Sequence, residues 1–334
     1  MYEGRGNKKM LNMLILDVLK THSDEDHRLS QQKILKLLKE DYDIECDRRS
    51  VKNNIEYLIE MGFDISMDDG YCLLSREFDD AELQMLINSV IFSKNVTKAQ
   101  SSALIEKLVK QGNEYFSPHL AHIENFTDLQ HSDNKQVLIN LDIIDEAMTK
   151  ERKISFIYNV YETDFKMHPK RPEPFVFNPY QVAMSNGRYY LVGNYDKYDT
   201  ISHFRIDRMT DMQMLDDRIK DKKLVKGMEH GLNLPKHMAE HVYMFSGNSV
   251  SVLIKTETGF MNDLIDWFGH DFQIVKKYTE DGKNMMDIRV YCNEQAMEYW
   301  ALQYGKKVTI IEPEGLRYKI RDDIEDMIKR YDNR

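Results

Sequence analysis

Residues 29–74 read LSQQKILKLLKEDYDIECDRRSVKNNIEYLIEMGFDISMDDGYCLL. Ser30 is a good N-cap for a helix whose inward side carries Ile34, Leu37 and Leu38. Asp47 caps a further helix with Val51, Ile55, Leu58 and Ile59 as its buried stripe, and Gly62 stops it as a left-handed C′ residue. Ile65 and Met67, the turn Asp68-Asp69-Gly70, then Tyr71, Cys72 and Leu73 predict a short hairpin. Upstream, Leu11, Leu14, Ile15, Val18 and Leu19 recur at i, i+3, i+4, i+7 and i+8, one apolar stripe of an earlier helix. Three helices and a hairpin make a winged helix-turn-helix. Such a module sends a helix N-terminus and cationic side chains into the DNA major groove. The outer side of the third helix presents Arg49, Asn53 and Glu56, with Lys52 at its border and Arg48 at its mouth. Arg pairs with guanine or phosphate and Asn with adenine. The predicted DNA-contacting set is Ser30, Arg48, Arg49, Ser50, Lys52 and Asn53, and the predicted partner is double-stranded operator DNA.

Length and composition set the bounds. The 334 residues suit two or three domains, and 42% apolar content is enough for real cores. No run of about 18 apolar residues occurs, so no membrane span is expected. The start of the chain is polar, and Cys46, Cys72 and Cys292 lie far apart without a CxxC pair. These features predict a cytoplasmic protein with reduced thiols and no structural zinc. The net charge of −10 argues against binding polyanions over the whole surface. Residues 1–75 are themselves acidic, 11 Lys and Arg against 15 Asp and Glu. DNA binding must come from a few placed cations and be salt-sensitive.

The N-terminal stretch resembles the DeoR-type winged helix of bacterial repressors. The likeness rests on Leu29 to Ile34, on Arg48-Arg49-Ser50-Val51-Lys52-Asn53-Asn54-Ile55, on Leu58 and Gly62, and on Asp69-Gly70-Tyr71. In that family the corresponding helix start reads DNA. Here Asn53 and Asn54 stand where that family carries charge.

Residues 77–134 read as a helical connector. Capping boxes at Asp79/Glu82 and Thr97/Gln100 open two helices, carrying Leu83, Leu86, Ile87 and Val90, and Leu104, Ile105 and Leu108. Their apolar surface is small, and packing against a second copy would complete it, so a homodimer is expected. His119 and His122 are poor metal candidates without a nearby Cys. A helix over about 134–150 follows, with Val137, Leu138, Leu141, Ile144 and Met148 inward.

From Lys153 the period becomes two. Ile154, Phe156 and Tyr158 alternate with Ser155 and Ile157. Asn186-Gly187 signals a type I′ hairpin, and residues 201–206 a strand with His203 and Arg205 on one face. Short strands after a helix predict a small bent sheet or barrel. This region, 135–247, resembles the WYL domain. The likeness rests on Phe156-Ile157-Tyr158, Asn178-Pro179-Tyr180, Asn186-Gly187-Arg188, Tyr189-Tyr190-Leu191, Phe204 to Arg208 and Met244-Phe245-Ser246-Gly247. Tyr189 stands at the Trp of the signature. The resemblance implies an Sm-like β-barrel that senses a nucleic-acid or nucleotide-like effector, with Tyr158, Tyr190, His203, Arg205 and Arg208 as effector-binding residues. Guanidinium groups beside an aromatic face suit a phosphate-bearing, stackable ligand. The competing reading has Arg205 in a structural ion pair with Asp207 or Arg208 in that role, and Tyr190 in the core.

Residues 248–334 alternate strand and helix in an order that predicts a ferredoxin-like α/β sandwich. Trp300 to Gly305 and Ile311-Glu312-Pro313 resemble the C-terminal extension that follows WYL domains, which in such proteins takes part in dimer contacts and ligand response. His237 and His241 are four apart, with no third metal ligand in sequence reach. Neither GxGxxG, Walker A, HExxH nor GxSxG occurs, so neither an enzyme nor a cofactor is expected. The whole reads as a multidomain α+β chain: winged helix (1–76), connector (77–134), WYL domain (135–247) and C-terminal extension (248–334). The expected function is a bacterial transcription regulator whose effector modulates operator binding. The alternative is a single-stranded RNA-binding accessory protein of a prokaryotic defence system such as CRISPR.

Overall fold

The computed structural model describes residues 8–118, 132–228 and 231–332, in two compact units, Met1–His131 and Ser132–Arg334. No helix among the described residues is long and apolar enough to cross a membrane.

In the first unit, helices α1 (Leu11–His22), α2 (Gln31–Tyr42) and α3 (Arg48–Glu60) share one core with the hairpin β1 (Ile65–Ser66) and β2 (Cys72–Leu73). The local chemistry sets each boundary. Ser30 Oγ accepts from the Lys33 amide at 3.2 Å, and the Asp47 carboxylate from the Ser50 amide at 2.7 Å. Gly62 takes φ +98° and lets the Phe63 amide return to the Leu58 carbonyl. Asp69 and Gly70 supply the two positive φ angles of the β1–β2 turn, and Leu29 bridges to Tyr71. Ile59, expected in the buried stripe, is instead exposed. Val51, Ile55 and Leu58 fill the inward side, and Ile59 falls one step further round the helix. Met67 likewise lies beyond β1 and is exposed.

Helices α4 (Asp80–Ile91) and α5 (Lys98–Val109) begin at the two capping boxes, each complete in both directions. Their joint core is small, built on Ile87, Ile91 and Ile105. The segment after α5 returns to the end of α1. There Asn113 Nδ2 donates to the Ser23 carbonyl and the Asp24 carboxylate, and Tyr115 stacks on His27. His119 and His122 lie outside the described residues.

In the second unit, α6 (Val137–Thr149) packs on a curled, half-barrel sheet. Its strands are β3 (Arg152–Tyr161), β4 (Met167–Pro169), β5 (Phe175–Ser185), β6 (Arg188–Asn194), β7 (Ser202–Arg205) and β8 (Met209–Arg218). The hydrogen-bonded order is β4-β3-β5-β6-β7, with β8 on β3, all antiparallel. Strand β5 changes neighbour along its length, pairing with β3 up to Phe177 and with β6 from Asn178. The register slips between Pro179 and Gln181, where proline has no amide for the ladder. Asn186 and Gly187 both have positive φ and close the β5–β6 hairpin. Phe156, Phe175, Phe177 and Phe204 meet as an aromatic centre inside the curl.

After α7 (Leu234–Glu240), residues 249–332 form a separate sheet domain. Strands β9 (Ser249–Glu257), β10 (Phe272–Glu280), β11 (Lys283–Asn293) and β12 (Val308–Glu312) alternate with α8 (Met261–Phe268) and α9 (Glu294–Gln303), and α10 (Glu314–Asp332) ends the chain's described part. The antiparallel order is β10-β11-β9-β12, with Phe268 and Trp300 fully buried in the core.

Candidate functional site

In the first unit, the inward stripe of α3 turns Arg48, Arg49 and Lys52 outward, and all three are exposed. Lys52 stands 3.7 Å from Glu56 one turn on, a pair that solvent weakens. Ser30 and Ser50 serve the two helix N-termini: Ser30 caps α2, and the Ser50 amide is the donor to Asp47. The amides of Ser50 and Arg49 hold the Asp47 carboxyl below its usual range, so it stays ionised at the α3 N-terminus. Asn53 is half-buried beside them.

In the second unit the sheet brings four of the five expected effector residues together. Strand alternation puts Arg205 on the open face opposite Tyr190, its register partner on β6. A 3-10 turn, Ile206–Arg208, then tucks Asp207 inward to 6% exposure. Arg205 donates to both Asp207 oxygens, at 3.1 and 2.7 Å, and Arg188 donates to Oδ2 at 3.0 Å. The hydrogen bonds to Asp207 raise Arg205 above the ordinary arginine value, whereas burial pulls Arg188 below it. Arg208 reaches the hydroxyl of Tyr158, and its Nε is buried without a hydrogen-bond partner among the described residues. Tyr158 and Tyr190 are both raised by burial, and the neighbouring arginines oppose that rise. Asn134 Nδ2 holds the carbonyls of Asp207 and Met209 from beneath.

Two guanidinium groups thus share one carboxylate, and a third, Arg208, stands near them with phenol rings beside it. The excess positive charge suits an anion, and the rings offer it stacking surface. Arg205 keeps its ion pair with Asp207, as the competing reading had it. Arg188 was legible only as the residue after the hairpin glycine, and its role depends on a partner 19 positions on.

His203 does not join this group. Its Nε2 lies 2.8 Å from His237 Nε2, its ring is 5.0 Å from that of His241, and its Nδ1 is buried without a hydrogen-bond partner among the described residues. Burial and the two neighbours push it down to about 2. Burial first, and then His241, push His237 down to about 4. His241 turns Nδ1 toward the Phe245 carbonyl. His237 and His241 line a cavity of about 550 Å3 together with Lys226, Asn233, Lys236 and Ser249. No three His, Cys, Asp or Glu side chains among the described residues are placed to hold a metal ion.

Comparison with known proteins gives two family matches: the WYL domain over residues 140–214 and the WCX domain over residues 249–328. No curated protein matches the chain. Among solved structures the chain is similar to proteasome accessory factor B/C (PafBC) of Arthrobacter aurescens, at 14% identity and TM-score 0.28, over 96% of this chain and 49% of that one. It is also similar to a CRISPR Cas-related protein, at 13% identity and TM-score 0.37, over 99% of this chain and 88% of that one. The chain spans about half the length of the PafBC structure. The curled sheet with its arginine face therefore lies in a WYL domain, and the C-terminal sheet domain is a WCX domain.

Proposed function

We propose that this chain is a homodimeric, cytoplasmic transcription regulator of bacterial type, without enzymatic activity. Its first three helices and hairpin act as a DeoR-type winged helix-turn-helix on double-stranded operator DNA. The WYL arginine face takes a nucleic-acid or nucleotide-like effector, and the WCX domain, of ferredoxin-like form, takes part in the response. The observation that carries this reading is the exposed cationic side of α3, with Arg48 and Arg49 at an Asp47-capped helix start. The WYL match and the three-to-one excess of guanidinium over carboxylate support the effector. The effector would act by population shift, binding the DNA-competent and DNA-incompetent states with different affinity.

Arg49→Ala is expected to weaken operator binding by about 1–3 kcal/mol, roughly five- to 150-fold, with unchanged thermal unfolding. Fluorescence anisotropy with the duplex upstream of the chain's own reading frame, at two salt concentrations, measures it. Unchanged affinity in the folded variant sinks the assignment of α3. The acidic balance of residues 1–75 keeps one other reading in play, a single-strand RNA binder serving a defence system. In that case the same assay shows preference for single strands, indifferent to Arg49→Ala.

A further inference from the structure

A second group of polar side chains lies away from the arginine face, under α7. His203 on β7 meets His237 and His241, with ring centres 4.4 to 5.0 Å apart. His237 and His241 are each only 6% exposed, and both line the cavity of about 550 Å3. That volume falls within the roughly 300–1,000 Å3 of small-molecule sites. The walls come from both domains of the second unit: Thr200 and Ile201 from the WYL match, Ser249 and Tyr291 from the WCX match. No arginine lines it.

The hydrogen bonds fix where the imidazole protons are. Burial holds all three rings below the ordinary histidine value, so they are neutral near pH 7. A neutral imidazole has one N–H and one bare nitrogen. His241 gives its Nδ1 proton to the Phe245 carbonyl, which leaves Nε2 as a bare acceptor. His203 and His237 face each other through Nε2 at 2.8 Å, so one proton lies between them. His203 Nδ1 is sealed from solvent without a hydrogen-bond partner among the described residues. An orphaned buried N–H is rare, so His203 carries its proton on Nε2 and donates it to His237. His237 then carries its own proton on Nδ1. His237 Nδ1 and His241 Nε2 have no hydrogen-bond partner among the described residues, and neither is sealed from solvent. The cavity thus offers one N–H and one bare acceptor, on rings whose centres are 4.4 Å apart.

Charge and donor type select the ligand. Lys226, Lys236 and Glu240 also line the cavity. Lys236 stands 3.8 Å from the Glu240 carboxylate one turn on, whereas Lys226 has no ion-pair partner among the described residues. One positive charge is left over, which suits an anion. A lysine is a point charge, not the planar fork that matches a carboxylate. A carboxylate also only accepts, and cannot serve the bare His241 Nε2. A phosphate monoester, with a second pKa of about 6, accepts through some oxygens and still donates through a hydroxyl in part of its population near neutral pH. Asn233 adds its Nδ2, since its Oδ1 is taken by the Lys236 amide at 3.2 Å.

We infer that this cavity is a second ligand site, distinct from the arginine face, for a small phosphate monoester. Lys226 and His237 donate to the phosphoryl oxygens, and His241 Nε2 accepts from the phosphate hydroxyl. The ligand touches the WYL and WCX domains together, and its binding depends neither on operator DNA nor on the arginine face.

Imidazole NMR of the full chain, labelled with nitrogen-15 at histidine, tests it near pH 7. Inorganic phosphate is the probe. It is expected to shift the His237 and His241 signals, assigned with His237→Gln and His241→Gln, and to saturate at about millimolar concentration, the level so few atoms reach. Sulfate has the same shape but carries no proton near pH 7, and should bind at least about tenfold more weakly. Lys226→Ala is expected to weaken phosphate binding about tenfold, the loss of one charged hydrogen bond. Lys226 is exposed, so the melting of that variant should not move. The absence of a saturable shift in these signals overturns the inference, as does phosphate binding indifferent to Lys226→Ala. Sulfate that binds as tightly as phosphate overturns the choice of a phosphate ligand. Phosphate held on the arginine face alone leaves these imidazoles unmoved, and operator binding is tested separately by Arg49→Ala.

Discussion

Asp207→Ala is expected to destabilise the WYL domain by about 3–5 kcal/mol, the cost of removing one partner from a buried ion pair. Asp207 is 6% exposed and accepts three hydrogen bonds from two guanidinium groups. Without it Arg188, Arg205 and Arg208 repel one another with no anion between them, and burial already weighs against the charge on Arg188. Urea unfolding followed by tryptophan and tyrosine fluorescence would read the loss. Asp207→Asn, which keeps one carbonyl acceptor, should lose less. A shift below about 1 kcal/mol in the alanine variant would mean that the arginines are solvated separately, as exposed pairs are. The pair would then contribute nothing to shaping the arginine face.

Gly193→Ala is expected to cost at the top of the roughly 1–3 kcal/mol range for overpacking, or to prevent folding outright. Gly193 lies on β6 opposite Pro179, where β5 turns the corner of the half-barrel. A Cβ there would stand 2.2 Å from the Asn178 carbonyl oxygen and 2.3 Å from the Phe177 ring. The carbonyl is backbone and cannot rotate away. Asn178 is held in turn by its own side chain, which donates to the Asn194 carbonyl and to Asp196 and accepts from the Lys220 amide. The two strands would have to separate. Gly259→Ala is the control, since nothing lies within 4 Å of its added carbon, and it should melt within about 0.5 kcal/mol of wild type. Equal melting of the two variants would contradict the close approach of β5 and β6.

The sequence was most informative where local chemistry decides the backbone. Ser30, Asp47, Asp79 and Thr97 all cap helices as their side chains dictate, and Asn186-Gly187 closes its hairpin with both φ angles positive. Strand, helix, strand, strand, helix, strand, helix could be read in order over residues 249–331 from periodicity, the turn Glu280-Asp281-Gly282 and the stop at Gly305. Long-range placement was not legible. Alternation put His203 beside Arg205, but an imidazole 34 positions on draws it under α7, and no local signal encodes that contact. Arg188 meets Asp207 only because the β5–β6 hairpin folds against β7. Ile59 counted as core by period, whereas three neighbours already filled the inward side of α3.

The central claim is that a ligand on the WYL arginine face alters operator binding. The most direct measurement is the affinity of the full chain for its duplex operator, by anisotropy, with and without a saturating short single-stranded oligonucleotide. A separate titration first establishes that the oligonucleotide binds. The proposed coupling gives a change of about 5- to 150-fold, in either direction, with a reciprocal change in oligonucleotide affinity when duplex is present. An oligonucleotide that binds while the duplex affinity stays the same would contradict the claim, because a ligand with equal affinity for both states shifts nothing.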